Sequence, residues 1–347
     1  MTVRLADLTT LRVGGRAERY VAAESTDAVI DAVSAADAAG QDVLVIGGGS
    51  NLLVGDADVD ATVVHIRTRG VELLAGEPCS GATVRVAAGE PWDGLVATAV
   101  ARGWSGIEAL SGIPGSTGAT PVQNVGAYGQ EVADTIASVR TWDRQQNRVC
   151  TLAAADCDFA YRHSRLKDER FRGGPRYVVL EVTFQLRLSA LSAPVRYAEL
   201  ARRLGVGVGE RVELAQVRQA VLALRTGKGM VLDGADHDTW SAGSFFTNPI
   251  LDPIAVRRLP EDAPRWSAEG GRFKVSAAWL IEHAGFGKGF GLPGPVSLST
   301  KHTLALTNRG SARAADLVSL ARTVRDGVRA AFGVELAPEP VLVGCTL

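Results

Sequence analysis

Lysine is scarce in this 347-residue chain: Lys167, Lys228, Lys274, Lys288 and Lys301 are its only five, so 32 of the 37 basic residues are arginine. A skew of that kind reads as codon bias rather than a property of a site, and it gives each remaining lysine weight. Charge of one sign is also missing. The 37 basic residues face 38 acidic ones for a net charge of −1, which excludes the basic footprint of a nucleic-acid binder. Four cysteines (Cys79, Cys150, Cys157, Cys345) stand at irregular spacings with no CxxC pair. That excludes a disulfide scaffold and leaves buried free thiols as the expectation. Five scattered histidines form no metal-ligand pair, so no metal site is expected. No apolar run approaches the roughly 20 residues of a membrane helix, and the segment Met1–Leu8 lacks a signal-peptide core. The expectation is a cytoplasmic protein, with neither nucleic acid nor membrane as partner. What remains is ordinary globular material, 46% hydrophobic and 22% charged, enough for several cores and about two to three domains.

Periodicity gives an alternation of strands and helices. Ser25-Thr26 caps an amphipathic stretch (Ala28, Val29, Ala32, Val33, Ala36) that Gly40 stops, and Asp42–Ile46 is a short buried strand. Strands are predicted at Thr62–Ile66, Val84–Ala87, Val139–Trp142 and Tyr177–Leu188, with a helix over Trp92–Arg102. Between Gly106 and Gly129 the chain is dense in Gly, Pro, Ser and Thr with few charges, which predicts a long functional loop. Composition changes near Ser189. Helices then follow at Tyr197–Leu204, Leu214–Arg225, Ser276–Ala284 and Asp316–Phe332, and Val341–Val343 is a closing strand. The fold class is α+β with a break near residue 190.

Gly47-Gly48-Gly49-Ser50-Asn51, directly after a strand, suits anion binding, because consecutive glycines let backbone N–H groups converge. A tight turn between two strands explains the same residues. The run matches neither G-x-G-x-x-G nor a Walker loop, and no helix follows, which argues against a Rossmann domain. A second loop, Ser111–Thr120, continues through Gln123–Gly129 with many donors. Two such loops within about 90 residues suit a diphosphate, hence a nucleotide cofactor.

These loops carry a resemblance. The chain resembles the UDP-N-acetylenolpyruvoylglucosamine reductase family in Thr9–Gly15, Val45–Val54, Gly112–Gly129, Tyr161-Arg162-His163-Ser164, Gly243–Pro249 and Pro338-Glu339-Pro340, in the family's order and over nearly the whole length. The resemblance implies a two-subdomain FAD-binding fold of the vanillyl-alcohol oxidase (PCMH) type plus a separate α+β substrate-binding domain. Subdomain 1 would span 1–70, completed by 308–347; subdomain 2 would span 71–189, and the substrate domain 190–307. It implies FAD held by Gly47, Gly48, Gly49, Ser50, Asn51, Ser116, Ala119, Thr120, Asn124, Gly126 and Ala127. Some related oxidases bond flavin covalently through a histidine beside the glycine loop. Here Asn51 follows Gly49-Ser50 and His65 lies a strand away, so non-covalent FAD is expected.

The implied reaction uses NADPH to reduce FAD, whose N5 hydride then passes to the enolpyruvyl ether of a UDP-sugar, yielding the muramic-acid precursor of peptidoglycan. Negative charge grows on the substrate carboxylate and one carbon takes a proton. Arg162 is the implied carboxylate fork, Glu339 a neutral acid beside the developing charge, and Ser244 the proton donor. Lys228 would support the serine alkoxide, Asn248 would hydrogen-bond substrate, and Tyr197 would cover its diphosphate. The tyrosine's inserted helical stretch marks the longer, first type of the family. Lys274, Glu282 and Lys301-His302 fall in similar segments and are assigned to shaping that site. Some members carry an arginine where this chain has Val341. The partner is a small-molecule UDP-sugar and the protein a monomer. Two alternatives are an FAD-dependent oxidase of the same fold and a flavin-binding protein without catalysis.

Overall fold

The computed structural model describes residues 3–77 and 80–347. Its chain forms two compact units. One is built from residues 17–48 and 60–226, the other from 4–16, 49–59 and 227–347. Cys79 lies outside the described residues; Cys150, Cys157 and Cys345 are free thiols, of which Cys157 is buried as expected and Cys150 and Cys345 are only half-buried. No helix among the described residues is long and apolar enough to cross a membrane.

In the first unit the strands Arg16–Ala23, Val59–Ile66 and Val43–Ile46 lie side by side in that order, the last two parallel with Ile46 opposite His65. The helix Thr26–Ala38 begins where Ser25 Oγ accepts the Ala28 N–H. A larger antiparallel sheet runs Arg148–Ala153, Ile136–Asp143, Tyr177–Leu188, Gly81–Ala87, Val71–Glu77. Tyr177–Leu188 is its spine, paired on both sides because its residues are apolar on both faces at the start and alternate later. The helix Trp92–Ala101 packs Trp92 onto Phe184, ring centroids 6.0 Å apart, and the indole N–H donates to the Leu110 carbonyl at 3.1 Å. A third cluster, Ala109, Val195, Leu200, Val217 and Val221, seats the helices Ala198–Leu204 and Leu214–Gly227 in this unit. The first compact unit ends at Thr226.

The second unit is centred on the helix Ala314–Phe332, whose Leu317, Ala321, Val324 and Val328 recur at helical spacing against Phe245, Phe246, Leu280 and Leu306. Its start lies two residues before the expected Asp316, because the Asp56 carboxylate accepts the N–H groups of Ala314 and Ala315 at 2.8 and 3.0 Å. The closing strand Val341–Val343 pairs in parallel with Leu52–Val54. Three short strands, Ile250–Leu251, Phe273–Val275 and Arg265–Ser267, complete the unit with the pair Val296–Leu298 and Leu306–Asn308.

The expected long loop after Gly106 is instead a chain of short helical turns: Glu108–Leu110, Thr117–Ala119 and Thr120–Gln123. Its hydroxyls serve the backbone. Ser111 Oγ donates to the Glu108 carbonyl, Thr117 Oγ1 to Glu90 and Thr120 Oγ1 to Thr117, at 2.7, 3.0 and 2.7 Å.

One buried ion pair ties the first unit's helix to its large sheet. Arg144, its side chain fully buried, meets both carboxylate oxygens of Asp37 at 2.7 and 3.0 Å and donates to the carbonyls of Phe171 and Pro175. Asp37→Ala leaves that guanidinium uncompensated and is expected to cost about 3–5 kcal/mol in urea unfolding. Adding Arg144→Met should restore much of it. A single-mutant loss under about 1 kcal/mol would contradict the account.

Candidate functional site

The glycine loop is built from close backbone approaches. A Cβ on Gly47 would overlap Ser116 Oγ, and one on Gly48 would lie 2.6 Å from Gly115 Cα. Gly118 has the same problem against Ala88, at 2.5 Å. The two loops expected to hold a diphosphate thus touch main chain to main chain, which only glycine allows. Positive φ occurs at Gly49 (+61°), where a Cβ would strike the Leu8 carbonyl oxygen. Among the described residues, no protein acceptor takes the N–H groups of Gly48, Gly49 and Asn51. Donors of this kind fit the diphosphate of FAD.

His65 reaches this loop from the neighbouring strand. Its ring is hydrogen-bonded to Gly47 and lies 2.8 Å from the Tyr20 hydroxyl at Nδ1. Burial, then Arg67 and Arg69, lowers its pKa below the ordinary histidine value, so it is neutral at neutral pH.

The second loop ends in a tight hairpin. Gly126–Ala127 pair with Gln130–Glu131 across Tyr128 (φ +50°) and Gly129 (φ +83°), the two positive angles of a type I′ turn. Asn124 is 1% exposed and left-handed at φ +43°. Its amide donates to Glu131 Oε2 and the Ala160 carbonyl, both at 2.9 Å, and accepts from Ala133. The side chains of Asn124 and Thr120 are engaged by the protein, and so are their main-chain N–H groups, which donate to Pro121 and Thr117. Arg162 takes φ +55° and lays its terminal nitrogens on the carbonyls of Asn124 and Gly126, at 3.3 and 3.0 Å. A bulky residue in the left-handed region stores strain, as site residues do.

Tyr197 precedes the helix Ala198–Leu204 and stands 45% exposed, its ring edge-on to Tyr128 with centroids 5.6 Å apart. Burial pushes the Tyr128 phenol up to about 12, against the pull of Arg225. Asp93 closes the other side, accepting the Gly112 N–H and both terminal nitrogens of Arg218 at 2.6–2.8 Å. Burial acts to raise its pKa, but the Arg218 and Gly112 donors outweigh it and hold the carboxyl below the usual range.

The second unit holds Ser244 and Glu339 on one backbone ladder. The Glu339 N–H donates to the Phe245 carbonyl at 2.8 Å, the Thr247 N–H to Ala337 at 3.1 Å, and Phe246 bridges Pro338. Asn51 joins them, its Nδ2 3.4 Å from the Glu339 carbonyl and its own carbonyl accepting the Val341 N–H. Phe245 and Phe246 beneath are each 1% exposed, and both Ser244 and Glu339 are half-buried. Asn248 Oδ1 accepts the Ala277 N–H and so anchors the helix Ala277–His283. Lys228, half-buried, follows the helix Leu214–Gly227. Lys301 pairs with Asp236, Glu282 accepts from Thr303, and Lys274 lies 6.0 Å over the Trp266 ring.

Sequence comparison places these features. Residues 17–152 match the FAD binding domain and residues 235–343 match the UDP-N-acetylenolpyruvoylglucosamine reductase, C-terminal domain. The chain is 56% identical to UDP-N-acetylenolpyruvoylglucosamine reductase of Cutibacterium acnes, over 99% of this chain and 90% of that one. It is 57% identical to that of Salinispora arenicola, over 99% and 95%. The chain belongs to the UDP-N-acetylenolpyruvoylglucosamine reductase family. The crystal structure of a family member from Thermus caldophilus superposes with a TM-score of 0.64 at 26% identity, covering 99% of this chain and 98% of that one. The expected α+β fold, an FAD-binding part joined to the family's C-terminal domain, is the fold of this chain. Sequence reasoning set His65 aside as lying a strand away, whereas its ring is hydrogen-bonded to Gly47 of the glycine loop. It also missed Glu108, the sole charged side chain between Gly106 and Gly129.

Gly48→Val drives a branched side chain into Gly115, and the variant is expected to purify folded but colourless. Gly94→Ala is the control: its Cβ would meet Pro91 at an ordinary 3.8 Å in a helix, so it should stay yellow and gain up to about 1 kcal/mol. One flavin per chain in Gly48→Val, read from absorbance, would remove this loop from FAD binding.

Proposed function

We propose that this chain reduces the enolpyruvyl ether of UDP-N-acetylenolpyruvoylglucosamine to UDP-N-acetylmuramate, a step of peptidoglycan precursor synthesis, as a cytoplasmic monomer. The observation that carries the reading is the ladder joining Glu339 to Phe245, which holds an acid and a hydroxyl on adjacent backbone above a dry aromatic floor. Bound FAD, reduced by NADPH, supplies the hydride.

The residues divide the remaining work. Gly47, Gly48, Gly49, Ser50 and Asn51, with Ser116, Ala119, Thr120, Asn124, Gly126 and Ala127, would hold the flavin nucleotide. Arg162, braced on the carbonyls of Asn124 and Gly126, presents a fixed positive fork to the substrate carboxylate. Glu339 donates a hydrogen bond to that carboxylate as its charge grows, a role that needs the neutral acid. Ser244 delivers its hydroxyl proton to the substrate carbon. A serine is a weak acid, but the carbanion-like acceptor is a strong base, and Phe245 and Phe246 keep water from competing. Lys228, Tyr197 and Asn248 bind substrate.

Ser244→Ala tests the assignment by separating two steps. Anaerobic bleaching of the flavin by NADPH should stay near the wild-type rate, while recolouring by the UDP-sugar slows by about 10²–10⁴-fold. Ser244→Cys should recover part of that loss, since a thiol in the same place donates. In deuterated water the new hydrogen alpha to the lactyl carboxylate should come from solvent. Wild-type recolouring in the alanine variant would remove Ser244 from the mechanism, and rapid recolouring by air alone would favour an oxidase.

A further inference from the structure

Glu108 is 1% exposed, and its carboxyl is met by N–H groups rather than by a cation. Oε2 accepts the Gly106 N–H at 2.7 Å; Oε1 accepts the Ala193 N–H at 2.6 Å and Gln130 Nε2 at 3.0 Å. Gln130 in turn accepts the Ala109 N–H at 2.8 Å. Two parts of the chain meet on this one group. Ala193 opens the inserted stretch: next to it, Ser192 exchanges hydrogen bonds with Val212, and Val195 donates to Glu210. Gln130 closes the hairpin whose turn residue, Tyr128, packs edge-on against Tyr197.

We infer that Glu108 is a positioning residue that docks the inserted helical pair beside the Tyr128 hairpin and so sets the place of Tyr197. The inference rests on the reading of Tyr197 as a substrate-binding residue. A buried group that accepts three N–H bonds has no equal among neutral side chains. The carboxamide of glutamine has one oxygen and one NH₂, so at least one of the three donors would face another donor. Val195, Leu200 and Val221 hold the insertion by non-directional apolar contact, which fixes less well where a ring must stand.

Two measurements on the holoenzyme test this. In Glu108→Gln, amide exchange over residues 193–204 should speed up at least about tenfold while Tyr177–Leu188 is unchanged. Unchanged exchange in the insertion would overturn the docking role. The KM for UDP-N-acetylenolpyruvoylglucosamine should rise a few-fold to about tenfold in Tyr197→Phe and in Glu108→Gln, with NADPH-driven bleaching unaffected. The double variant should rise no further than the larger single effect, because both act through one ring. Fully additive effects would reduce Glu108 to a general structural residue. If Tyr197→Phe leaves KM unchanged, the reading of Tyr197 fails and the exchange result alone decides the docking. Gln130→Met, which withdraws one donor from the same oxygen, serves with the same readings where Glu108→Gln does not fold.

Discussion

Four segments far apart in the chain depend on one set of main-chain hydrogen bonds in the second unit. Thr10 donates to Gly49, Val341 to Asn51, Glu339 to Phe245 and Thr247 to Ala337. Phe245 completes it by donating to Leu304 at 2.7 Å. Each bond alone contributes about 1 kcal/mol, and the entropy of closing the long loops between these segments opposes them. What tips the balance is the apolar cluster beneath, where Phe245, Phe246, Leu53 and Leu11 are all 1% exposed or less. The ladder therefore forms only when the core does, and the polar residues it displays are placed by packing beneath them rather than by their own bonds.

The first unit solves the matching problem with glycine and strain. Gly47, Gly48 and Gly118 let three backbones touch, while Asn124, Tyr128 and Arg162 accept left-handed angles that L-residues avoid. Buried hydroxyls of Ser111, Thr117 and Thr120 add a second donor to carbonyls that already accept a main-chain N–H. The result is a stiff, mostly main-chain surface. Rigid donors that need no reorganisation suit a cofactor held through many turnovers.

Much of the architecture was legible because the period of apolar residues follows burial directly. Tyr177–Leu188 and Val341–Val343 have the predicted ends, and Ser25 caps its helix as expected. The strands Arg16–Ala23 and Val71–Glu77 were not legible. The first carries three charged residues, and nearly all of the second is exposed, so neither shows the two-residue alternation of a half-buried strand. The long loop predicted after Gly106 misled for the opposite reason: its Gly, Pro, Ser and Thr mark buried turns that satisfy one another rather than open coil.

The sequence alone determined the fold class, the family and the two donor-rich loops, because these are local strings whose residue types permit little else. Tertiary structure decided their use. It turned Asn124, Thr120 and Asn248 toward protein partners, gave the positive φ to Gly49, and placed Glu339 beside Phe245 across more than ninety residues. Hydrogen-bond partners and backbone approach are set by elements distant in the chain, and a string of residues records what a side chain can do but not what it faces.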